Sequence, residues 1–409
     1  MQTRAAKRQK HKIYKIVQTT IKTVSMKKDY RIIISGGGTG GHIFPALSIA
    51  DAIKAKHPEA KILFVGANNR MEMQRVPDAG YEIMGLPIAG FDRKNLFKNF
   101  KVLWLIFKSQ RMARRIIKEF APQAAVGVGG YASGPTLKMA AKMNIPTLIQ
   151  EQNSYAGVTN KILSKRAKMI CVAYDGMERF FPHEKIKITG NPVRKNLLDM
   201  RANRKEAMKA MKLDESKKCV LIVGGSLGAR SINEGVMANI ELIKANKDIQ
   251  FVWQTGKLYF EEMKKRVDES GKPENLTVTD FVSDMANALS AANLVVSRAG
   301  AGSISEFALL GKAVILVPSP NVSEDHQTKN AMALVDKDAA IYVADTNVKE
   351  ELIKKAIETV SNDARIAQLE ENIEKMGKPN AASDIADEVL MLADAYLEKE
   401  TRRKKENLK

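Results

Sequence analysis

The chain has 409 residues, with 66 Lys or Arg against 46 Asp or Glu, which gives a formal net charge of +20. An apolar fraction of 44% beside 27% charged residues argues against wholesale disorder. One suggestive apolar run, residues 102–107, has six residues against the ~20 that a membrane-spanning helix needs, and two cysteines are too few for a disulfide framework.

Most of the charge belongs to the two ends of the chain. Residues 1–28 carry nine Lys or Arg and no acid, and residues 398–409 carry six basic and three acidic residues. We therefore expect a basic, disordered tail over 1–28 and a charged tail over 398–409. The mildly basic remainder predicts no nucleic-acid partner. Two other interpretations of residues 1–28 stay open: an arm on anionic lipid or nucleic acid, or an extension upstream of a true start at Met26.

Between the tails, short β-branched runs alternate with amphipathic helix patterns, which predicts βαβ units and parallel sheets. The Gly/Pro-punctuated segment 188–194 divides two such series, so the fold class is α/β with two Rossmann-like domains. We predict an N-terminal domain over 29–189, a C-terminal domain over 190–375 and a helix over 376–397 that returns to the first domain. The predicted strands are 31–35, 62–66, 124–129, 147–150 and 169–173, then 219–223, 250–253, 276–279, 294–297 and 313–317.

The first glycine loop, residues 36–41, directly follows a strand and formally matches GxGxxG. A dinucleotide site would also need an acidic residue at the end of the second strand, and residues 65–69 (VGANN) supply none. No Gly-Lys-Ser/Thr follows the glycines, so a P-loop is excluded as well. The remaining interpretation is an anion-binding loop: its glycines let a ligand approach the backbone closely, and the N-terminus of the helix that follows favours anions.

His42 lies where this loop enters its helix. Its ordinary pKa near neutrality suits a general base, although a helix-capping or merely polar role fits the sequence equally well. A second loop, residues 127–135, offers the hydroxyls of Tyr131 and Ser133 to a substrate or is simply a tight turn. The segment Glu151-Gln-Asn153 ends the next strand, where it is expected at the site or as a helix cap.

The second half repeats the pattern with two more glycine loops. Residues 224–229 place Ser226 at a helix N-terminus, where a phosphate oxygen would be held. Residues 297–306 lead into a helix that carries Glu306 in its first turn, either as a capping residue or as an acceptor for two ribose hydroxyls. The segment 324–330 (EDHQTKN) follows a later strand and offers amide side chains to a sugar.

The order GGGTGGH, GGYASGP, EQN, GNPVR, GGSLGA, SRAGAGSISE and EDHQTKNA resembles the MurG family of bacterial N-acetylglucosaminyltransferases from residue 30 to residue 397. The resemblance implies the GT-B fold, with two Rossmann-like domains facing each other across a cleft. It also implies inverting transfer of GlcNAc from UDP-GlcNAc to the MurNAc C4 hydroxyl of lipid I, which makes lipid II. The alternatives are another GT-B transferase that uses a UDP sugar and a lipid acceptor, or a UDP-sugar epimerase.

Site residues follow from the resemblance, position by position. His42 is the expected base, with Tyr131 and Glu151 also in the acceptor cleft, whereas Gln150 stands where some relatives have His. Val282 is expected beside uracil, Glu306 on the ribose, and Gln327 and Asn330 on the sugar. The expected donor contacts are Thr39, Gly40, Gly41, Asn153, Arg194, Ser226, Val282, Ala301, Gly302, Ser303, Ile304, Ser305, Glu306, Gln327 and Asn330.

The resemblance implies neither a metal nor another cofactor. Backbone amides and helix N-termini would stabilise the charge that grows on the departing UDP. The chain also has no His/Cys ligand set.

A lipid-linked acceptor implies a peripheral protein on the cytoplasmic face of the inner membrane, near other proteins of cell-wall synthesis. Aromatic and basic residues mix over 94–118, which suits an anionic membrane surface. The alternative is an amphipathic helix that packs on its own sheet. We define the interfacial patch as Leu96, Phe97, Lys98, Phe100, Lys101, Trp104, Phe107, Lys108 and Arg111.

Overall fold

The structure, a computed structural model, describes residues 29–90, 98–193, 203–225 and 227–407, with the backbone only for 98–101 and 323. The predicted tail over 1–28 therefore lies outside the described residues. So do Leu96 and Phe97 of the interfacial patch and the predicted donor contacts Arg194 and Ser226.

The first half of the chain forms a seven-stranded sheet in which every paired strand is parallel, in the order β3-β2-β1-β4-β5-β6-β7. Helices cover both faces, which explains why the central residues Ile32, Ile33 and Ile34 of β1 are all fully buried. The strands are β1 (Arg31–Ser35), β2 (Lys61–Ala67), β3 (Glu82–Leu86), β4 (Ala124–Gly127), β5 (Thr147–Glu151), β6 (Met169–Val172) and β7 (Ile186–Ile188).

The second half forms a six-stranded parallel sheet in the order β10-β9-β8-β11-β12-β13, the doubly wound order of a Rossmann fold. Its core is built around Phe251 and Trp253, both fully buried. The strands are β8 (Lys218–Val223), β9 (Ile249–Gln254), β10 (Leu276–Thr279), β11 (Leu294–Ser297), β12 (Val314–Leu316) and β13 (Ile341–Tyr342).

Helices connect successive strands in both halves. In the first half they are α1 (Gly40–Lys56), α2 (Glu72–Asp78), α3 (Lys98–Phe120), α4 (Ser133–Lys142) and α5 (Val158–Ser164). In the second they are α6 (Arg204–Ala210), α7 (Arg230–Ala238), α8 (Ile240–Ala245), α9 (Phe260–Glu269), α10 (Met285–Ala291), α11 (Ala301–Leu310), α12 (His326–Val335), α13 (Val348–Val360), α14 (Asp363–Glu374) and α15 (Ala381–Glu406).

The last helix, α15, packs on the first half although it follows the second in the chain. Ile385 and Val389 are buried in the core that also holds Ile32 and Ile34. The hydroxyl of Tyr30 donates to Oδ1 of Asp394 at 2.8 Å, which fixes the helix beside the start of β1. The chain thus crosses between the halves twice, once before β8 and once before α15.

The element predictions are confirmed for ten strands to within two residues at each end, and three short strands were missed. Of the missed strands, β3 is an edge strand with alternating exposure, and β7 and β13 have three and two residues. Helix α1 begins at Gly40, inside the segment 36–41 that was predicted as a loop. Helix α15 continues through the segment predicted as a charged tail, because its Lys, Arg and Glu residues favour helix.

Candidate active site

The four glycine loops lie at the two places where strand order reverses. In a doubly wound sheet, ligands bind beyond the carboxyl ends of the strands at this switch point. The reversal lies between β1 and β4 in the first sheet and between β8 and β11 in the second. One glycine loop follows each of these four strands, so the loops line two crevices. The loops are residues 36–39 after β1, 128–132 after β4, 224–229 after β8 and 298–300 after β11.

The first and second loops touch each other at glycines. A Cβ added at Gly130 would lie 2.3 Å from the carbonyl oxygen of Gly37, and one at Gly36 would lie 2.2 Å from Cγ2 of Val128. Gly37 and Gly130 also have positive φ angles of 146° and 82°, a region that other residues adopt only with strain. Close approach of the loops therefore requires glycine and leaves the first turn of α1, Gly40 and Gly41, open to the crevice.

His42 is held in one ring orientation by the first loop. Its Nδ1 lies 3.0 Å from the carbonyl oxygen of Gly37, which only accepts, so Nδ1 carries the proton and Nε2 keeps the lone pair. Thr39 Oγ1 lies 3.3 Å from the same nitrogen. The Nε2 edge faces Gly129, where an added Cβ would come within 2.8 Å of it. This arrangement suits a general base.

Burial lowers the pKa of His42 below its ordinary value of 6.5, so the ring is neutral and able to accept a proton near neutral pH. The negative charges of Glu151 and Glu72 and the bond to Gly37 oppose this shift. His326, at the start of α12 in the second half, acts in the same direction as burial.

Tyr131 and Glu151 occupy different settings. Tyr131 is 51% exposed, and its ring lies against Gly90. Glu151 is buried, and its two oxygens accept from the backbone amides of Asn153 (3.1 Å) and Gly157 (3.0 Å) and from the side-chain nitrogens of Asn153 (3.3 Å) and Asn160 (2.9 Å). The carboxylate therefore shapes the loop into α5, and catalytic roles for both residues stay predictions.

Asn153 and Asn330, both predicted on the donor, bond each other across the cleft. Nδ2 of Asn330 donates to Oδ1 of Asn153 at 3.1 Å, and its Oδ1 accepts from the amide of Ser154 at 2.9 Å. Gln327, one turn earlier in α12, accepts from the amide of Ser319 at 2.9 Å. The segment predicted to read the sugar is thus fixed to the first half.

A second polar connection runs through buried amides. Nε2 of Gln150 donates to Oδ1 of Asn191 at 3.0 Å, and Nδ2 of Asn191 donates to the hydroxyl of Ser305 at 3.0 Å. Gln152 Nε2 reaches Gln150 Oε1 and the carbonyl of Val128. Gln150 is therefore part of the hydrogen-bonded link between the halves.

The third loop and the predicted uracil pocket share one partner, Gln254. Its Nε2 donates to the carbonyl of Gly225 at 2.8 Å, and its Oε1 accepts from the amide of Val282 at 3.1 Å. Val282 is buried, as a residue beside a nucleobase would be. Gln254 thereby sets the distance between the loop and the segment after β10.

The fourth loop is fixed by Arg298 and continues into α11. Nη1 of Arg298 donates to the carbonyls of Val317 (3.0 Å) and Pro318 (3.1 Å) and to Asp345, and Nη2 donates to Ser231 Oγ at 2.8 Å. In α11 the predicted donor contacts Gly302, Ser303, Ser305 and Glu306 are half-buried, whereas Ala301 and Ile304 are buried. The prediction that Glu306 lies in the first turn is wrong: because the helix begins at Ala301, Glu306 is in the second turn and does not cap it.

The interfacial patch is described in part, on α3. Ala113, Ile116 and Ile117 pack on the first sheet, so this part of the helix has a core-facing side. On the other side Trp104 and Phe107 are 59% and 60% exposed. Lys108 Nζ lies 5.1 Å from the Trp104 ring centroid and Arg111 Cζ 5.8 Å from that of Phe107.

The sequence interpretation missed Glu72, Gln254 and Arg298. Glu72 lies five residues after the end of β2, and its carboxylate reaches back under the first glycine loop. Gln254 ends a strand, a position that could have marked it. Nothing in the local sequence pairs Glu72 with residue 38, because tertiary packing makes that contact.

Among the described residues, no group of three or more His, Cys, Asp or Glu side chains is placed to hold a metal ion. In the same part of the chain, none of the helices is both long enough and apolar enough to cross a bilayer.

Two Rossmann-like halves with glycine loops at both switch points form the architecture of the GT-B fold. Family models agree: the glycosyltransferase family 28 N-terminal domain matches residues 32–172, and the C-terminal domain of the same family matches residues 219–389.

Two similar proteins are both named UDP-N-acetylglucosamine–N-acetylmuramyl-(pentapeptide) pyrophosphoryl-undecaprenol N-acetylglucosamine transferase. The protein from Phocaeicola vulgatus is 64% identical over 371 residues, which cover 91% of this chain and 98% of that protein. The one from Bacteroides thetaiotaomicron is 63% identical over 370 residues, or 90% of this chain and 100% of that protein.

Solved structures give the same result. MurG of Acinetobacter baumannii has a TM-score of 0.72 at 29% identity and covers 88% of this chain and 99% of its own. A UDP-GlcNAc 2-epimerase from Neisseria meningitidis, at 14% identity and a TM-score of 0.62 over 88% of this chain and 99% of its own, shares the fold alone. The chain belongs to glycosyltransferase family 28 and, within it, to the MurG family.

Proposed function

We propose that this protein transfers GlcNAc from UDP-GlcNAc to the C4 hydroxyl of MurNAc in undecaprenyl-pyrophosphoryl-MurNAc-pentapeptide, with inversion at the anomeric carbon. The observation that carries the proposal is the position of His42. Its Nδ1 lies 3.0 Å from the carbonyl oxygen of Gly37, which leaves Nε2 available at the first switch point to accept a proton. Relatives at 64% and 63% identity carry the name of this activity.

In the proposed reaction, Nε2 of His42 takes the proton of the acceptor C4 hydroxyl as its oxygen attacks the anomeric carbon. The bond from that carbon to the UDP oxygen breaks, and its electron pair leaves with UDP. Amides at the starts of α1 and α11 and in the third loop stabilise the growing negative charge. Removal of the base is expected to cost about 10²–10⁴-fold in rate.

The donor is proposed to lie between the third and fourth loops, with its sugar toward α12. Val282 then borders the uracil, Glu306 accepts from the ribose hydroxyls, and Gln327 and Asn330 meet the sugar hydroxyls. The half-buried state of Glu306 and Gln327 supports this arrangement, because a side chain that is only partly covered can still contact a ligand.

We propose further that the interfacial patch rests on the anionic cytoplasmic surface of the membrane that holds the acceptor. Exposed Trp104 and Phe107 beside Lys108 and Arg111 give the mixture of aromatic and cationic groups that suits a lipid interface.

A substrate panel tests the proposed function. The purified protein is incubated with UDP-GlcNAc and either a short-chain lipid I analogue, diacylglycerol or no acceptor, and products are identified by mass spectrometry. Transfer to the lipid I analogue is expected. Transfer to diacylglycerol but not to lipid I would indicate another lipid glycosyltransferase, and isomerised UDP sugar without acceptor would indicate an epimerase.

A further inference from the structure

Glu72 is a buried carboxylate beneath the first glycine loop. The residue is 1% exposed, and its oxygens accept from two backbone amides, Gly38 at 2.8 Å and Ala67 at 2.9 Å. These contacts join α2 to the loop after β1 and to the last residue of β2. A buried carboxylate is costly unless hydrogen bonds compensate it, and these two amides do so.

The bond to Gly38 leads directly to His42 through a single peptide group. The amide N–H of Gly38 and the carbonyl of Gly37 belong to the same peptide unit and point in opposite directions. The carbonyl accepts from Nδ1 of His42 at 3.0 Å, while the N–H donates to Glu72 at 2.8 Å. Carboxylate, peptide and imidazole thus form one chain of hydrogen bonds.

We propose that Glu72 is a positioning residue for the transfer, which acts on His42 through the 37–38 peptide and stabilises the imidazolium that forms when Nε2 takes the acceptor proton. This inference rests on the proposed function. It gives Glu72 the task that a carboxylate beside a catalytic histidine performs elsewhere, with a peptide group interposed.

The physical basis is polarisation along the chain of hydrogen bonds. A negative charge on the N–H side of a peptide draws electron density toward its carbonyl oxygen, which strengthens the bond from Nδ1. The proton that leaves the C4 hydroxyl ends on Nε2, and the Nδ1 proton stays in place. Solvent removes the Nε2 proton after UDP has left.

Three titratable groups act on His42: Glu151 and Glu72, which favour the charged ring, and His326, which disfavours it. Glu151 accepts its hydrogen bonds from residues 153–160 and acts on the His42 ring only through space. Of the three, Glu72 alone is joined to Nδ1 by the chain of bonds described above.

The glycines around Glu72 give a second, geometric reason for its role. A Cβ added at Gly37 would lie 2.2 Å from Cδ of Glu72, and one at Gly66 would lie 2.6 Å from its Cγ. Glycine at both positions therefore makes room for a carboxylate in contact with the peptide that holds His42. Part of the glycine signature of this loop serves the carboxylate rather than the substrate.

Glu72→Gln tests the proposal, because glutamine keeps the size but removes the charge and one acceptor. We expect kcat to fall about 10- to 100-fold with the KM for UDP-GlcNAc within about twofold. The acid limb of the kcat profile should move to lower pH, since the lost negative charge lowers the pKa of His42. In the His42→Ala background the same substitution should cost little more, because the effect passes through His42.

Glu388→Gln is the matched control. Glu388 is also a buried carboxylate of the first half, on α15, but it pairs with Lys187 away from the loops. This variant reports the general cost of removing a buried charge and should leave the acid limb in place. An unmoved limb in Glu72→Gln, or costs that multiply in the double variant, would overturn the proposal.

A second readout needs no substrate. ¹⁵N spectra of histidine-labelled protein, with His42 assigned through His42→Ala, report which ring nitrogen is protonated. We expect the Nδ1–H tautomer in the wild type, a shifted titration in Glu72→Gln, and partial return in Glu72→Asp. An Nε2–H tautomer in the wild type would refute the proposed role of Glu72. If the wild type shows the Nδ1–H tautomer and Glu72→Gln the shifted titration, but the wild type does not transfer GlcNAc to lipid I, only the proposed function is refuted.

Discussion

Asn330 donates from Nδ2 to Oδ1 of Asn153 at 3.1 Å, and this bond joins the two halves of the protein at two residues that are predicted to contact the donor. The backbone of Ser154 adds a second bond to Asn330. The side-chain amides of two predicted donor contacts are thus paired with each other, so a donor that binds both must replace these hydrogen bonds. Donor binding and the spacing of the halves are therefore coupled.

Asn330→Ala should destabilise the fold and weaken donor binding. The buried amide of Ser154 loses its acceptor, which is expected to lower the free energy of unfolding by about 1–3 kcal/mol. The KM for UDP-GlcNAc should rise about tenfold or more, since two polar contacts are lost. Asn372→Ala is the control, because Asn372 bonds only within the second half, to the carbonyl of Asp338. Equal KM values for the two variants would contradict the assignment.

His42 should make the stability of the protein depend on pH. Its folded pKa lies below the ordinary 6.5 because of burial, so between these values the unfolded chain binds more protons than the folded one. Stability therefore rises with pH through this window and is lost as pH falls below about 6.5. Urea unfolding at a series of pH values should show a steeper loss on acidification for wild type than for His42→Asn. Parallel curves would contradict the assigned shift.

The sequence identified the switch-point loops because glycines follow strongly β-branched runs, as at β1 and β8. The start of α1 was predicted as loop, since Gly40 and Gly41 are poor helix formers and their helical conformation depends on packing. Edge strand β3 was not predicted, because most of its residues are exposed or only partly buried. The Glu72 contact could not be predicted, because nothing in local sequence links a helix after β2 to the peptide at 37–38.

Arg298 should contribute to stability more than an exposed arginine pair does. Its side chain is 16% exposed and donates to the backbone carbonyls of Val317 and Pro318. It also bonds the side chains of Ser231 and Asp345, so Arg298→Ala leaves several buried acceptors without this donor. We expect a loss of about 3 kcal/mol in urea unfolding. Arg365→Ala, which breaks an exposed pair with Asp338, should cost markedly less. A similar loss in both variants would refute the assigned role.

The interfacial patch should govern binding to anionic vesicles. Lys108→Glu with Arg111→Glu is expected to weaken binding to phosphatidylglycerol vesicles about tenfold or more, and reversal of Lys98 and Lys101 as well should weaken it further. The control, Lys264→Glu with Lys265→Glu on α9, changes the net charge equally at an exposed site in the second half. Co-sedimentation that falls equally in both pairs would show that net charge, not the patch, controls binding.

The most direct measurement of the central claim is the structure of the product. Purified protein is given UDP-GlcNAc and a water-soluble lipid I analogue, and the linkage of the isolated product is determined by NMR. The account predicts a β-configured GlcNAc on the C4 oxygen of MurNAc, formed by wild type and strongly reduced in His42→Ala. An α linkage, attachment at another hydroxyl or undiminished transfer by His42→Ala would contradict it.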